Sequence, residues 1–338
     1  MAIMKRLTLM VSATLTVAAA AGPLPRLASG YTGSREPNPV PRNAVHRHQR
    51  WNPGLLGLRQ RIVYQRSGQR QLTLYLFTPE QAAATGRPVV IYIHGGGLRF
   101  GSAKINGAMT AHNRLLVQVE RRFIREGMDF ASVNYRLAPM HPWPIPLDDV
   151  KHAVRFLDQH TNGLGIEPKC MVVMGDSAGG ELASFVGLTM TKFDTRTSVV
   201  RGVVDLFGPT DRQPFAQLWW IRHGLTPNPV YGVYTPGRVE NESVVSHVHA
   251  DAPPFLIVQG TRDQVVPPGQ SALLRDRLEQ VGVPVQEVLV HHAGHELVSV
   301  DQKPVQPTLG QVAATINRFV IASIGADSRQ YDIIRPRR

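Results

Sequence analysis

The fold is decided by the stretch Met171-Val172-Val173-Met174-Gly175-Asp176-Ser177-Ala178-Gly179. Its first four residues predict a short buried strand, and the Gly-x-Ser-x-Gly pattern after them opens directly into a predicted helix over 178–192. A serine on such a sharp turn projects its hydroxyl above the sheet, and the flanking positions need glycine because a Cβ there would clash with neighbouring backbone. Gly-x-Ser-x-Gly also occurs by chance as an ordinary turn, but this strand-turn-helix context makes Ser177 the candidate nucleophile.

Outward from this turn, short apolar segments alternate with amphipathic ones. We predict strands over 61–65, 72–78, 89–93, 130–135, 171–174, 199–207, 255–259 and 285–290. We predict helices over 109–127, 147–160, 178–192, 271–281 and 309–324. Fully apolar strands separated by helices indicate a mainly parallel central sheet with helices on both faces, which is an α/β architecture.

A second glycine-rich loop, His94-Gly95-Gly96-Gly97, ends the predicted strand over 89–93. In serine hydrolases such a loop supplies backbone donors for the tetrahedral oxyanion, together with the amide of the residue after the nucleophile, here Ala178. The alternative is a phosphate-binding loop, but no Gly-Lys-Ser/Thr follows. We interpret His94 as a residue that holds the loop by hydrogen bonding and not as a base.

A serine hydroxyl needs a base, and the base needs a carboxylate that orients it. The chain order serine, acid, histidine, with each partner after a later strand, predicts Asp263 as the acid and His295 as the base. Several other residues compete for these roles: the acids Asp205, Asp211 and Asp251, and the histidines His291 and His292.

The ordered motifs resemble those of α/β-hydrolase carboxylesterases of the hormone-sensitive lipase type. They are His94-Gly95-Gly96-Gly97, Asn134-Tyr135-Arg136-Leu137-Ala138-Pro139 with His141-Pro142-Trp143-Pro144, Gly175-Asp176-Ser177-Ala178-Gly179-Gly180 and Ala293-Gly294-His295. The stretch from Asp251-Ala252-Pro253-Pro254-Phe255 through Gly260-Thr261-Arg262-Asp263 to Val266-Pro267 is similar to the related bacterial acetyl and feruloyl esterase-like branch.

This resemblance covers residues 61–324 and implies an α/β-hydrolase fold with esterase activity and no cofactor. It implies Gly95, Gly96 and Ala178 as the oxyanion donors, and a bracing role for the Tyr135-Arg136 element. The hormone-sensitive lipase type usually has a helical N-terminal cap, which residues 22–60 do not resemble. Substrate cover then falls to a short cap insertion at 210–250, which is rich in Pro, Trp and Tyr.

The ends of the chain differ in composition from the middle. Lys5 and Arg6, an apolar run over 7–17 and Ala-x-Ala sites predict a signal peptide over 1–21, and hence a secreted or periplasmic protein. The run is too short to span a bilayer stably. Residues 22–60 are rich in Pro and Arg and predict an extended leader, 61–324 form the predicted catalytic domain, and 325–338 form a basic tail.

The net charge of +12 lies mostly outside the predicted domain. Residues 5–6 supply two charges, 22–60 five and 325–338 two, so 61–324 have a net charge of +3 and do not predict a nucleic-acid partner. The single cysteine, Cys170, excludes an internal disulfide and suggests a small buried hydrophobe. We interpret the pairs His46-x-His48 and His247-x-His249 as solvated and predict no metal site.

The partner predicted from these residues is a small ester, with the oligomeric state left open. Two other functions remain: a non-catalytic hydrolase-fold protein that binds a ligand or a protein, and a peptidase or amidase with the same triad. The small, proline-interrupted insertion favours short acyl groups of about two to six carbons.

Overall fold

The computed structural model describes residues 45–48, 55–68, 70–80, 86–105, 110–190, 200–212 and 243–325. The predicted signal peptide, most of the leader, the centre of the cap insertion and nearly all of the basic tail lie outside the described residues.

The described strands form one nine-stranded sheet. They are β1 (Val45–His48), β2 (Leu58–Ser67), β3 (Arg70–Thr78), β4 (Arg87–Ile93), β5 (Asp129–Val133), β6 (Ile166–Asp176), β7 (Val200–Leu206), β8 (Phe255–Gly260) and β9 (Val285–Val290). Their order is β1-β2-β3-β5-β4-β6-β7-β8-β9. The pairs from β5 to β9 are parallel and the three at the β1 end are antiparallel, so the predicted mainly parallel sheet is confirmed.

Helices cover both faces of this sheet. They are α1 (Ala111–Arg125), α2 (Ile145–Gln159), the short α3 (Thr161–Leu164), α4 (Ala178–Thr189), α5 (Gly269–Gln280) and α6 (Leu309–Gly325). The apolar residues of α2, α4 and α5 belong to one buried cluster, and those of α1 and α6 belong to another. Successive residues of β4 alternate between the two clusters, as the period of two in a strand requires.

The sheet begins before residue 61, the predicted boundary of the domain. Strand β2 starts at Leu58, and β1 pairs antiparallel with it, with Val45 opposite Ile62. The amide of Leu56 donates to both carboxylate oxygens of Glu120 on α1, at 2.9 and 3.1 Å. Part of the predicted leader is therefore a component of the folded domain.

The predicted brace after β5 is built around a buried carboxylate. Asp149 on α2 accepts hydrogen bonds from the backbone amide of Arg136 at 2.9 Å and from its guanidinium at 2.8 and 2.6 Å. Asp149 has no exposed surface. This ion pair fixes the loop after β5 against α2, beside the end of β4.

The position of Cys170 and the character of the helices are also described. Cys170 lies within β6 but is partly exposed, so the prediction of a buried hydrophobe was wrong. Among the described helices, each is too short or too polar to cross a membrane.

Candidate active site

Ser177 occupies the tight turn between β6 and α4. Its backbone has φ 50° and ψ −122°, and its amide donates to the carbonyl of Leu206 at 2.8 Å. A Cβ on Gly175 would lie 2.1 Å from the carbonyl oxygen of Gly179, and a Cβ on Gly179 would lie 2.0 Å from that of Ile93. Only glycine fits at either position, so the turn has the close packing that the sequence predicts for a nucleophile.

The three predicted triad residues meet at the carboxyl ends of the parallel strands. Nε2 of His295 lies 3.1 Å from Oγ of Ser177, and Nδ1 of His295 donates to Oδ2 of Asp263 at 2.7 Å. Because Nδ1 carries the proton shared with the carboxylate, Nε2 is free to accept the serine proton. This geometry equips Ser177 for nucleophilic attack.

The carboxylate of Asp263 is completely buried and is held from two sides. Its Oδ1 accepts the amides of Val265 and Val266 at 2.8 and 2.9 Å. Its Oδ2 accepts a hydrogen bond from Nε2 of Gln259 at 3.3 Å and another from the imidazole of His295. Oγ of Ser271 donates to Oε1 of Gln259 at 2.8 Å, which fixes which end of that amide faces the acid.

His295 lies on a compact loop after β9. The amide of Gly294 donates to the carbonyl of Val298 at 2.8 Å, and Glu296 adopts φ 58°, in the left-handed region. The ring of Phe207 packs edge-on against the imidazole, with 5.0 Å between ring centroids. The backbone turn and this ring together limit the orientations open to the imidazole.

The loop after β4 is held through its carbonyl groups. The hydroxyl of Tyr135 donates to the carbonyl of His94 at 2.8 Å, and Nδ1 of His94 donates to the carbonyl of Gly95 at 2.8 Å. The carbonyl of Gly96 accepts the amides of Arg99 and Phe100, both at 3.0 Å. Burial lowers the pKa of His94, which is consistent with a neutral ring that supports the loop, as predicted.

The structure corrects the predicted set of oxyanion donors. The amide of Gly95 already donates to Oδ1 of Asp176 at 2.9 Å. Within the described part of the chain, the amides of Gly96, Gly97 and Ala178 have no acceptor. Gly96 and Gly97 adopt φ 110° and 61°, conformations that suit glycine. Gly95 is therefore removed from the donor set, Gly96 and Ala178 remain, and Gly97 is a further candidate.

Each of the competing acids and histidines has another partner or is exposed. Asp205 lies within β7, where Gly208 and Ser184 donate to its carboxylate, and burial raises its pKa to about 7. Asp211 accepts the hydroxyl of Ser243, and Asp251 is exposed. Nδ1 of His292 is 2.7 Å from Asp301, and His291 forms a backbone bridge to Gln306.

One of the two histidine pairs singled out in the sequence differs from the prediction, and the other is not tested. His46 and His48 lie in β1, a regular strand, of which the structure describes the backbone and not the side chains. Nε2 of His249 lies 2.9 Å from the carbonyl oxygen of Leu188, and His247 packs on Phe185, so this pair is not simply solvated. In the described ranges, no group of three metal-ligating side chains comes together.

Two residues that support the site were missed from the sequence. In Gly-x-Ser-x-Gly, Asp176 is the variable position, yet its buried carboxylate holds Gly95. In the sequence, Gln259 belongs to a predicted apolar strand, yet its side chain contacts the predicted acid, Asp263. The only available signal was a polar residue in an otherwise apolar segment, which does not identify its partner.

In sequence, the chain is similar to known esterases. The BD-FAE family model matches residues 74–278. The esterases LipQ and LipC of Mycobacterium tuberculosis are 26% and 27% identical over 79% and 68% of this chain, which spans 60% and 58% of their lengths. Human arylacetamide deacetylase-like 2 is 36% identical over 33% of this chain and 26% of its own length.

Solved structures share the fold. A truncated carbohydrate esterase from gut microbiota has a TM-score of 0.57 at 24% identity, covering 75% of this chain and 91% of that one. Esterase 2 of Thermogutta terrifontis with propionate has a TM-score of 0.59 at 23% identity, covering 79% and 94%. These likenesses confirm the predicted α/β-hydrolase fold.

Proposed function

The chain belongs to the BD-FAE family, and from this membership we propose that it is a serine carboxylesterase acting on short-chain acyl esters. The predicted resemblance to carboxylesterases of the hormone-sensitive lipase type is confirmed. One observation carries the proposal: Ser177, His295 and Asp263 form a continuous hydrogen-bonded series with spacings of 3.1 and 2.7 Å. The chain spans about three-fifths of the length of LipQ and LipC, so the activity is argued from the site itself.

In the proposed reaction, Oγ of Ser177 attacks the ester carbonyl carbon while Nε2 of His295 accepts the hydroxyl proton. The amides of Gly96, Gly97 and Ala178 stabilise the negative oxygen of the tetrahedral intermediate. The alcohol leaves with the proton from His295, and the acyl group remains on Ser177. Water, deprotonated by His295, then attacks the acyl carbon. The bond from this carbon to Oγ breaks, His295 returns the proton to Oγ of Ser177, and the carboxylic acid is released.

Two lines of support favour a short acyl group. Thermogutta esterase 2, one of the structural neighbours, is described with propionate and with butyrate bound. Residues 210–250 form a long insertion between the predicted strands over 199–207 and 255–259, and this segment contains four prolines over 214–236. A proline-rich segment of this size suits a shallow acyl site better than a long apolar tunnel.

The direct test compares Ser177→Ala with the wild-type enzyme on a soluble butyrate ester. We expect kcat to fall by about 10⁴-fold or more with folding intact, because triad residues act as a unit. Ser246→Ala, at an exposed serine of the same protein, is the matched control and keeps wild-type kcat. A fluorophosphonate probe should modify Ser177 alone. Wild-type turnover in Ser177→Ala, or labelling at a different residue, contradicts the proposal.

A second candidate, hydrolysis of amides by the same triad, is favoured by the similarity to arylacetamide deacetylases, at 32–36% identity over about a third of the chain. Matched butyryl ester and butyryl anilide substrates separate the two functions. We expect the ester to be turned over faster. Comparable or greater turnover of the anilide supports the amidase.

We also propose that the protein is exported, on the support of the basic, apolar and Ala-x-Ala segments in residues 1–21. The test expresses the full chain and determines the N-terminus of the protein recovered outside the cytoplasm. An N-terminus at residue 21 or 22 is expected. An intact Met1 on active protein inside the cell contradicts export.

A further inference from the structure

A buried carboxylate lies directly beneath the loop after β4. Oδ1 of Asp176 accepts two hydrogen bonds, from the hydroxyl of Tyr92 at 2.6 Å and from the amide of Gly95 at 2.9 Å. Tyr92 belongs to β4 and Asp176 to β6, the two strands whose ends bring together the oxyanion loop and Ser177. Asp176 thus joins the oxyanion loop to the turn that bears the nucleophile.

His112, on the first turn of α1, completes this group. Its Nε2 lies 3.2 Å from the hydroxyl oxygen of Tyr92 and 3.5 Å from Oδ2 of Asp176. The Tyr92 hydroxyl already gives its proton to Asp176, so its oxygen can only accept from His112. Both contacts therefore require a proton on Nε2. The imidazole then supports the tyrosine hydroxyl and the carboxylate at the same time.

The remaining supports of the loop act on its carbonyl groups. Tyr135 holds the carbonyl of His94, His94 holds that of Gly95, and the chain over 99–100 holds that of Gly96. Among the described residues, Asp176 is the only partner that holds an amide of this glycine loop. The Gly95 peptide precedes the amides of Gly96 and Gly97, so its rotation would change where they point.

We propose that Tyr92 and His112 are positioning residues for ester hydrolysis, holding the Asp176 carboxylate so that the Gly95 peptide aims the amides of Gly96 and Gly97 at the oxyanion. This inference rests on the proposed esterase function. The polar contacts of the two side chains are to each other and to Asp176, and Ser177 and His295 are not among them. Their contribution is the preorganisation of donors, on which oxyanion stabilisation depends.

The environment suits this role. Burial, followed by the nearby charge of Asp176, raises the pKa of Tyr92 well above its usual value, so the hydroxyl remains a donor across the working pH range. The three side chains are almost completely buried, which strengthens each hydrogen bond and penalises its loss. They adjoin a cavity of about 250 Å³, so a substituted side chain at 112 has room to fit.

The test separates positioning from packing with paired variants. Tyr92→Phe removes only the hydroxyl, His112→Leu removes the ring donor, and His112→Gln restores an N–H near the position of Nε2. Because small misplacements of a donor cost up to about 100-fold in rate, we expect Tyr92→Phe and His112→Leu to lower kcat by about 10- to 100-fold with KM nearly unchanged. His112→Gln should recover most of the lost kcat.

A trifluoromethyl ketone supplies a readout that a merely structural role would not move. It forms a hemiketal with Ser177 whose oxyanion needs the same donors as the transition state. Its inhibition constant should therefore rise in Tyr92→Phe by about the factor by which kcat/KM falls. Unchanged inhibition with reduced kcat/KM overturns the proposal, as does a His112→Gln variant as impaired as His112→Leu.

Tyr64→Phe is the matched control. The Tyr64 hydroxyl is also buried and donates to the backbone carbonyl of Asn134 at 2.6 Å, outside the oxyanion loop. Tyr64→Phe should keep the wild-type kcat and the wild-type inhibition constant for the trifluoromethyl ketone.

The two proposals fail separately. Wild-type activity in Ser177→Ala overturns the esterase mechanism. Wild-type kcat in Tyr92→Phe and His112→Leu, with Ser177→Ala inactive, overturns only the positioning role.

Discussion

Gln259 donates from Nε2 to Oδ2 of Asp263 at 3.3 Å, the same carboxylate oxygen that accepts the imidazole of His295. The two residues are four apart, at the end of β8 and in the loop after it. Ser271 on α5 holds the other end of the amide at 2.8 Å. The predicted triad acid is thus oriented by a helix and a strand as well as by the amides of its own loop.

Replacing Gln259 tests this support. Gln259→Leu removes a donor to Oδ2 and leaves Ser271 without its acceptor, so we expect kcat to fall by about 3- to 10-fold, below the cost of losing a triad residue. Ser271→Ala frees the amide without removing it, and its effect on kcat should have the same direction and be smaller. Steady-state kinetics on one soluble ester measure both. A larger loss in Ser271→Ala than in Gln259→Leu would contradict the described support.

The choice of base is tested by two histidines of one loop. His295→Ala should lower kcat by about as much as Ser177→Ala, roughly 10⁴-fold, since the triad works as a unit. His292→Ala, which removes only the pair with Asp301, should keep kcat within about threefold of wild type because surface ion pairs contribute little. The reverse pattern would identify His292 as the base.

The brace at Arg136 predicts a loss of stability without a loss of chemistry. Asp149→Ala leaves a largely buried guanidinium without its carboxylate, at a cost of about 3 kcal/mol in the free energy of unfolding. Asp148→Ala, at the exposed neighbour, should cost less than about 0.5 kcal/mol. Urea denaturation measures both. Below the unfolding transition, kcat of Asp149→Ala should remain near wild type, and a large drop would give the brace a catalytic role.

Sequence reasoning reached the parts of the site that local rules determine. Gly175-Asp176-Ser177-Ala178-Gly179 predicted the turn because the strand, the glycines and the helix are adjacent in the chain. The order of Asp263 and His295 followed from strand connectivity. Strand β1 was missed because the stretch Val-His-Arg-His has little apolar alternation, and its pairing with β2 is made across an intervening segment.

The oxyanion loop shows where such reasoning ends. The sequence predicted donors in His94-Gly95-Gly96-Gly97, but which amides remain free depends on a carboxylate 81 residues away. The same limit applies to Gln259, because a single polar residue in an apolar strand does not reveal which buried group it faces. These are properties of side-chain packing and are not visible as periodicity or spacing.

Glu120 predicts a fall in stability toward high pH. Burial raises its pKa from 4.5 to about 8, so the folded state holds a proton that the unfolded chain releases near pH 4.5. The stabilisation is complete below about pH 4.5 and is lost as the pH rises through about 8. Burial also raises the pKa values of Asp129 and Asp205, to about 6 and 7, and these two carboxyls likewise lower the stability as the pH rises.

The measurement is urea denaturation of wild type, Glu120→Gln and Glu126→Gln at pH 5 and pH 8.5. Glu120→Gln should show a smaller fall in the free energy of unfolding between the two pH values, because Gln does not titrate. Glu126 is exposed at the end of α1 and is the matched control, with the same fall as wild type. An identical slope in Glu120→Gln and wild type would show that Glu120 is ionised in the folded protein at neutral pH.

The 210–250 insertion bears on the length of the acyl group. Hydrogen bonds join its two ends, because the amide of Arg212 donates to Oγ of Ser243, which in turn donates to Asp211. Between these ends the sequence is short and interrupted by prolines, which predicts a small acyl site. Turnover of dissolved esters should be fastest for acyl groups of about two to six carbons, with no increase in rate when the substrate concentration passes its solubility limit.

Ethyl or p-nitrophenyl esters from acetate to palmitate, compared at equal concentration with a fixed alcohol, measure the profile. Faster hydrolysis of emulsified long-chain triglycerides than of dissolved acetate or butyrate esters would make the protein a lipase and would require a long apolar acyl channel beneath this insertion.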